Sequence, residues 1–321
     1  MPVGSTIGDI GEFGLIARVT AKFPQTENVI IGPGDDAAVV RAADGRVVAT
    51  TDLLVEGRHF RRDWSSARDV GHKAAAQNLA DVAAMGARPT ALLVGLAAPP
   101  DLPTAWTDEL SEGLSAECAL AGAAVVGGDV VRADTVTLAI TALGDLGGRA
   151  AVRRDGARPG DLVAVNGTLG RSAAGLALLR AGADGPAECL AAHRRPRPPY
   201  PEGPRAADLG ATAMLDVSDG LVQDLGHVAA ASGVAIALRE EALPADPVLE
   251  EAVRVLAGLG AAPPRAAAFM LAGGEDHAMA AAFPAGTRLP AGWTEIGAVT
   301  EGDGVTVDGA VPPRGGWDHF G

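Results

Sequence analysis

The sequence predicts an α/β protein with two domains, and three observations support this prediction. Its 321 residues are enough for two domains of ordinary size. Segments with the apolar spacing of helices alternate along the chain with short aliphatic runs that are typical of strands. A Gly- and Arg-rich stretch at 147–160 interrupts this pattern. We therefore predict an N-terminal domain at 1–146 and a C-terminal α/β domain at 147–321.

The N-terminal half has the patterns of both helices and strands. The helix at 68–85 is predicted to end at Gly86, with Pro89 just beyond it. The strand at 135–144 alternates apolar and polar residues, which favours antiparallel pairing. The other predicted helices are at 12–22 and 104–122, and the other strands at 28–31, 39–40, 46–51, 91–96 and 123–126.

The C-terminal half begins with a strand at 162–165, a Gly-containing loop and a helix at 172–180. This order suggests a phosphate cradle at the helix N-terminus. Residues 181–205 are polar and Pro-rich, so we predict a surface connection there. Further elements are predicted as helices at 221–232 and 248–258 and a strand at 234–238.

Two similar motifs, GGDV at 127–130 and GGED at 273–276, each follow an apolar stretch, one in each half. Because Gly is abundant in this chain, chance is one explanation. The other explanation is that the two halves are of related build, each placing an acid at the end of a strand.

The composition excludes several functions. The formal net charge of −14 disfavours nucleic acid and anionic membranes as partners. Cys118 and Cys189 follow no metal-binding or disulfide pattern, and we expect both to be buried. The sequence has no signal-peptide pattern and no apolar run long enough to span a bilayer, so we expect a cytoplasmic protein. An acidic chain that binds phosphates would need cations as intermediaries.

Acidic residues recur at the ends of predicted elements, each beside Gly or a hydroxyl-bearing residue. Magnesium prefers such oxygen ligands, and no thiolate or paired His competes for the role. For any one of these motifs alone, a turn or a helix cap is the commoner explanation. The acids are Asp35, Asp36, Asp52, Asp81, Asp129, Asp216, Asp219 and Glu275.

The most informative of these acids is Asp81, since it lies in a predicted helix made mainly of Ala, Leu and Val. Lys73, Gln77, Asn78 and Asp81 share one face of this helix by their three- and four-residue spacing. A polar stripe of this kind costs desolvation free energy unless it faces a polar partner. A salt-bridged face in solvent is the alternative.

Other polar residues also have two interpretations. Ser218 or Asp219 is suited to cap the helix that follows, whereas Asp216 is not needed for capping. His59 is either a surface residue or a contact for a substrate phosphate. The aromatic residues near the C-terminus favour a docked terminus that also covers a ring-shaped substrate. No Walker or protein-kinase motif is present, so nucleotide binding would need another scaffold.

Six motifs, taken in their order along the chain, resemble those of the thiamine-monophosphate kinase family. This family belongs to the superfamily of aminoimidazole-ribonucleotide synthetase and selenophosphate synthetase. The resemblance extends from EFGLI at 12–16 to WDHF at 317–320. GGD is followed by Val130 where the family often has Thr, and GGED by His277 where Tyr is usual. The motifs are GDDAA (34–38), TTDLLVEGRHF (50–60), NLADVAAMGA (78–87), GGD (127–129), DVSDGL (216–221) and GGED (273–276).

The resemblance implies an N-terminal mixed sheet with helices that forms a barrel across a homodimer, and a C-terminal α/β domain that completes the active site. It also implies several Mg²⁺ ions, with ATP and thiamine monophosphate as substrates. The implied magnesium ligands are Asp36, Thr50, Thr51, Asp52, Asp81, Asp129, Asp216 and Asp219. The implied ATP contacts are Gly128, Asp129, Arg154 and Ser218, and the implied thiamine monophosphate contacts are His59, Glu275 and Trp317.

The activity implied by the resemblance is phosphorylation of thiamine monophosphate to thiamine diphosphate by direct in-line transfer from ATP. We expect no general base, because the acceptor phosphate is largely ionised at neutral pH. One alternative is another ATP-using enzyme of the superfamily, similar to aminoimidazole-ribonucleotide synthetase. A less favoured alternative is a non-catalytic protein that binds Mg–nucleotide.

Overall fold

The computed structural model describes residues 6–33, 37–260, 263–312 and 315–316. The chain divides into a first unit, Met1–Val82 with Ala87–Gly148, and a second unit, Ala83–Gly86 with Arg149–Gly321. The predicted α/β class is confirmed, because each unit combines a mixed sheet with helices. Among the residues described, no helix is both long and apolar enough to cross a membrane.

The elements of the first unit follow the predicted order. Thr6 and Asp9 form a capping box at the start of α1, so the side chain of each accepts from the main chain of the other. The elements are α1 (Ile7–Thr20), β1 (Val29–Ile31), β2 (Val39–Val40), β3 (Val48–Val55), α2 (Ala67–Ala84), β4 (Arg88–Ala98), α3 (Thr104–Ala121), β5 (Ala124–Arg132) and β6 (Thr137–Asp145).

The main sheet of the first unit has the strand order β3-β6-β4-β5. β6 pairs antiparallel with β3 and β4, as its alternating sequence predicted, and β4 pairs parallel with β5. The sequence placed GGD after a short strand, whereas the motif lies inside β5. Gly128 allows this, because a Cβ there would overlap the main chain of Val94 on β4.

Two glycines let α2 and α3 pack closely in the first unit. A Cβ on Gly71 of α2 would overlap the carbonyl oxygen of Leu110, and one on Gly113 of α3 would overlap that of Arg68. The Ala-rich side of α2 is also fully buried, including Ala75, Ala76 and Leu79. Small side chains therefore determine how closely the two helices approach.

The second unit contains a mixed six-stranded sheet of order β12-β9-β11-β7-β10-β8. All of its strand pairs are antiparallel except β12 with β9. Its elements are β7 (Leu162–Asn166), α4 (Arg171–Ala181), α5 (Ala187–Arg194), α6 (Glu202–Asp208), β8 (Ala213–Val217), α7 (Leu221–Ser232), β9 (Ala235–Leu238), a short 3₁₀ helix (Glu240–Ala242), α8 (Pro247–Gly258), α9 (Ala266–Ala272), β10 (Ala278–Phe283), β11 (Trp293–Thr300) and β12 (Gly304–Val307).

The prediction of a surface connection at 181–205 is wrong. This segment contains α5 and the start of α6, and Cys189 and His193 are buried. α5 packs closely on α4, because a Cβ on Gly175 would overlap the main chain of Cys189. The high Pro content concealed two short helices, since Pro precedes each of them at the N-cap position, where its missing N–H is tolerated.

Two further predictions can be compared with the second unit. GGED follows the helix α9 and precedes β10, so the expectation of an acid at the end of a strand is wrong here as it is at Asp129. The expected burial of Cys118 and Cys189 is confirmed. Burial raises the pKa of each thiol to about 12, so neither is a reactive thiolate at neutral pH.

The close contact between α2 and α3 predicts that a methyl group added at this contact destabilises the protein. Gly113→Ala should lower the free energy of unfolding by about 1–3 kcal/mol, because the added Cβ overlaps the main chain of α2. Gly226→Ala in α7 is the matched control, since a Cβ there meets no atom within 4 Å. The control should be neutral or stabilising by up to about 1 kcal/mol. Denaturant unfolding measures both, and equal effects would contradict the packing argument.

Candidate functional site

The polar stripe of α2 faces strand β3. The hydroxyl of Thr50 donates to Asp81 Oδ2 at 2.9 Å, and Gln77 Nε2 donates to Asp52 Oδ2 at 3.2 Å. The amide of Asp52 donates to Asn78 Oδ1 at 3.0 Å, and Asn78 is fully buried. The prediction that this stripe faces a polar partner is therefore confirmed, and the alternative of a salt-bridged face in solvent is wrong.

His59 lies in the turn that follows β3. Its Nδ1 accepts a hydrogen bond from the amide of Val55 at 3.0 Å, so the neutral ring carries its hydrogen on Nε2. Lys73, which is 2% exposed, donates from Nζ to the carbonyl of His59 at 3.1 Å. The turn is thereby tied to the polar face of α2 that carries Asp81 and contacts Asp52 of β3.

The predicted ligands of the first unit lie on two faces of its sheet. Thr50 and Asp52 face α2, whereas Thr51 points to the opposite face and donates to the carbonyl of Ile140 at 2.9 Å. Asp129 is on that opposite face too, since the register joins Leu53, Ala139, Gly95 and Asp129 in one row across the sheet. β6 and β4 separate β3 from β5, so Asp129 is three strand spacings, about 14 Å, from β3.

The strand β5 also borders an apolar cleft within the first unit. Leu15, Leu96 and Leu114 line this cleft together with Gly127–Val130. The carboxylate of Asp129 accepts from the amide of Val130 at 2.9 Å. The two residues predicted to contact ATP in this unit, Gly128 and Asp129, therefore adjoin a surface that suits a flat apolar group.

In the second unit, one carboxylate organises the DVSDGL loop. Asp224, which the sequence did not single out, accepts from the amides of Ser218, Asp219 and Gly220, each at 3.0 Å. Of the two interpretations of Ser218 and Asp219, the helix cap is wrong, because Gly220 occupies the N-cap position of α7. Burial raises the pKa of Asp224 to about 7, although the amides of Gly220 and Asp219 lower it.

A second buried acid occupies the N-terminus of α4. Asp276 is 2% exposed and accepts from the amide of Ser172 at 3.2 Å and from the hydroxyl of Thr168 at 3.2 Å. The amide of Gly170 also donates to it. The predicted phosphate cradle is therefore filled by a carboxylate of the chain itself, which the sequence could not indicate because Asp276 is over 100 residues away.

The other residues of the GGED segment are held against the DVSDGL loop. The amide of Glu275 donates to the carbonyl of Ser218 at 2.8 Å, and Glu275 Oε2 lies 3.4 Å from His193 Nδ1. Asp216 is buried, and its Oδ2 lies 2.9 Å from Nδ1 of His277. Arg154 is exposed, and its carbonyl accepts from Ser232. Asp36 and Trp317 lie outside the described residues.

Comparisons with known proteins decide the family. Residues 34–146 match the N-terminal domain of AIR synthase related protein, and residues 158–309 match its C-terminal domain. The chain is 48% identical to thiamine-monophosphate kinase of Mycobacterium tuberculosis over 98% of its length and 93% of the relative. The chain belongs to the thiamine-monophosphate kinase family. The resemblance found in the motifs is thus confirmed.

Two further members of the thiamine-monophosphate kinase family agree with this assignment. The enzyme of Corynebacterium glutamicum is 41% identical over 99% of this chain and 96% of its own length. The solved structure of AaThiL complexed with AMPPCP and TMP is 35% identical, covers 97% of both chains and has a TM-score of 0.80. The two-domain α/β fold is therefore the fold of this family.

The donor set can be compared with the magnesium that the family resemblance implies. Among the described residues, no three His, Cys, Asp or Glu side chains lie together as a ready metal site. Magnesium is commonly bound by one or two protein carboxylates, with water and substrate phosphates completing its shell. The oxygens of Thr50, Asp52 and Asp81 on one polar face are of this kind, so the residues present fit a hard cation of that type.

The buried position of Asp276 predicts a pH dependence of stability. Burial raises the pKa of Asp276 to about 7, although hydrogen bonds from Ser172, Thr168 and Gly170 lower it. The carboxyl ionises near 3.8 in the unfolded chain, so the folded state retains a proton that the unfolded state has lost. The free energy of unfolding should therefore fall as the pH rises between about 4 and 7, and level off above that range.

Asp276→Asn isolates this contribution, because Asn keeps an acceptor for Ser172 but does not ionise. Urea unfolding at about pH 5 and pH 8 should give a smaller loss of stability in the variant than in the natural protein. Asp224 contributes equally to both proteins and cancels from the comparison. The same pH dependence in the two proteins would contradict a raised pKa at Asp276.

Proposed function

We propose that this protein transfers the γ-phosphoryl group of ATP to thiamine monophosphate, yielding ADP and thiamine diphosphate. The observation that carries this proposal is the polar contact between α2 and β3, where Asp81 of an otherwise Ala-rich helix and Asp52 of the strand lie half-buried on one face. Family members named for this activity, and AaThiL with AMPPCP and TMP bound, support the choice of both substrates. A cytoplasmic location accords with the use of ATP.

The proposed magnesium ligands in the first unit are the oxygens of Thr50, Asp52, Asp81 and Asp129, with Asp36 as a further one. Asp216 and Asp219 are the proposed ligands in the second unit. The side chains of Thr51 and Asp129 both lie on the sheet face opposite Asp52, so within one subunit neither side chain is proposed to share a cation with Asp52. Bound Mg²⁺ would neutralise phosphate charge that this acidic chain cannot.

The filled helix N-termini support a role for cations. The amides of Ser172 and of residues 218–220 are occupied by Asp276 and Asp224, so these groups are not available to a phosphate. The carboxylates that remain near these loops attract cations and repel anions. Binding of ATP and thiamine monophosphate therefore depends on metal ions and on residues such as Arg154, His59, Gly128 and Ser218.

The chemistry needs positioning more than proton transfer. An oxygen of the acceptor phosphate attacks the γ-phosphorus of ATP, the new P–O bond forms, and the bond to the leaving ADP oxygen breaks. The acceptor oxygen is already ionised, so no side chain is assigned as a general base. His59, Glu275 and Trp317 are the proposed contacts to thiamine monophosphate, and the apolar cleft beside Gly128 and Asp129 is proposed to receive the adenine.

We propose that the protein is a homodimer that covers the open face of the first sheet. Leu53 is 54% exposed, Leu93 37% and Val131 52%, and the register sets them on the same face as Asp129. An apolar sheet face of this kind is normally covered. A second copy would cover it and form the barrel that the family resemblance implies.

The first test of this function is release of ADP that depends on thiamine monophosphate. Asp52→Asn and Asp81→Asn should each lower the rate at least about 100-fold, the scale for losing one electrostatic contact in an active site. Asp63→Asn is the control, because Asp63 is exposed and pairs with Arg61 at the surface. Near-normal rates in both variants would exclude a shared cation site, and ADP release without the acceptor would exclude the kinase.

The proposed dimer makes a separate prediction. Leu53→Glu should shift the protein from dimer to monomer in sedimentation velocity, because it buries a charge within the covered sheet face. Leu120→Glu is the control, since Leu120 is 71% exposed on α3 and not on the sheet. A natural protein that sediments as a monomer, or a dimer that persists with Glu at residue 53, would contradict the barrel.

A further inference from the structure

A buried hydrogen bond in the second unit joins Asp216 to His277. Nδ1 of His277 lies 2.9 Å from Oδ2 of Asp216, and the two side chains are 7% and 4% exposed. A carboxylate has no hydrogen to give, so the imidazole Nδ1–H donates to it. This contact occupies one of the two carboxylate oxygens and leaves Oδ1 for another partner.

The main chain holds His277 in an uncommon conformation to make this contact. His277 has φ of +55°, in the left-handed region that residues other than Gly rarely adopt. Its amide donates to the carbonyl of Val217 at 3.0 Å, and Ala278 directly after it pairs with Val217 as β10 begins. Such conformations persist where the surrounding structure compensates for them, and they are concentrated at functional sites.

The strand that pairs with Asp216 offers no side-chain donor at the opposing position. β8, which carries Asp216, is at the edge of the six-stranded sheet, and among the described strands it pairs with β10 alone. Met279 is the residue opposite Asp216 on β10, and it can donate no hydrogen bond from its side chain. His277 thus supplies a directed donor where the neighbouring strand supplies none.

We propose that His277 is a positioning residue that orients the carboxylate of Asp216 toward a divalent cation. The proposal rests on the assignment of Asp216 as a magnesium ligand under the proposed function. It gives a role to a residue at which this chain departs from the Tyr that is usual in the family. Removal of a hydrogen-bond donor that holds a metal-binding carboxylate commonly lowers cation affinity by about 10- to 100-fold.

The experiment measures cation affinity directly, in the full-length protein with the ATP analogue AMPPCP. Mn²⁺ serves as the probe, and its binding is followed by electron paramagnetic resonance. His277→Leu removes the donor and should weaken Mn²⁺ binding about tenfold or more. His277→Asn restores a donor at the position of Nδ1 and suits the positive φ, so its affinity should stay within about threefold of the natural protein.

Two further variants keep the result independent of folding. His277→Gly also lacks the donor but accepts the positive φ without strain, so it should match His277→Leu even if Leu destabilises the turn. In an Asp216→Asn background, His277→Leu should change the affinity by less than about twofold, because the carboxylate it orients is absent. Thermal unfolding of each variant identifies any loss of the fold.

The proposal would be overturned if Asn, Leu and Gly at residue 277 all weakened Mn²⁺ binding equally. It would also be overturned if His277→Leu weakened Mn²⁺ binding as much in the Asp216→Asn background as in the natural protein. Failure of the proposed function would be seen in the ADP-release assay and not in the Mn²⁺ affinities. The natural protein would then release no ADP on addition of thiamine monophosphate, while the pattern of Mn²⁺ affinities would still report whether His277 positions Asp216.

Discussion

The local structure of this protein depends on hydrogen bonds to carboxyl groups that are partly or fully removed from water. An ionised acid loses hydration when it is buried, and the loss is compensated by directed donors or by a cation. Asp276 gathers donors from the start of α4, and Asp224 gathers three amides from the loop before α7. Asp52 and Asp81 are bound by Gln77 and Thr50. Each acid thereby fixes a segment that carries proposed site residues.

This arrangement separates structural acids from acids that can take a ligand. Asp224 and Asp276 are surrounded by donors of the chain itself, so they organise loops rather than meet substrate. Asp52, Asp81 and Asp216 instead meet side-chain donors, Gln77, Thr50 and His277 respectively, and these contacts orient the carboxylates for a proposed role with cations. The same residue type therefore serves two purposes, and main-chain amide donors mark the two acids that organise loops.

The regular elements were largely predictable because their patterns are local. The stripe from Lys73 to Asp81 needed the helical period only, and its orientation toward a polar partner followed from the cost of desolvation. β5 was underestimated, since its extension through Gly127 and Gly128 depends on pairing with β4. α5 was missed because its Pro-rich surroundings suggested a loop, whereas burial of Cys189 and His193 against other elements stabilises a helix there.

The sequence by itself determined the family, the α/β class and the set of candidate acids, because these depend on motif order and on local periodicity. Tertiary structure alone decided which of the candidate residues lie on the same face or contact each other. It divided Thr51 and Asp129 from Thr50 and Asp52 across the two faces of one sheet, through strand register. It also filled the N-terminus of α4 with Asp276 and set His277 against Asp216. Contacts between residues far apart in the chain depend on how the elements pair and pack, which no local pattern encodes.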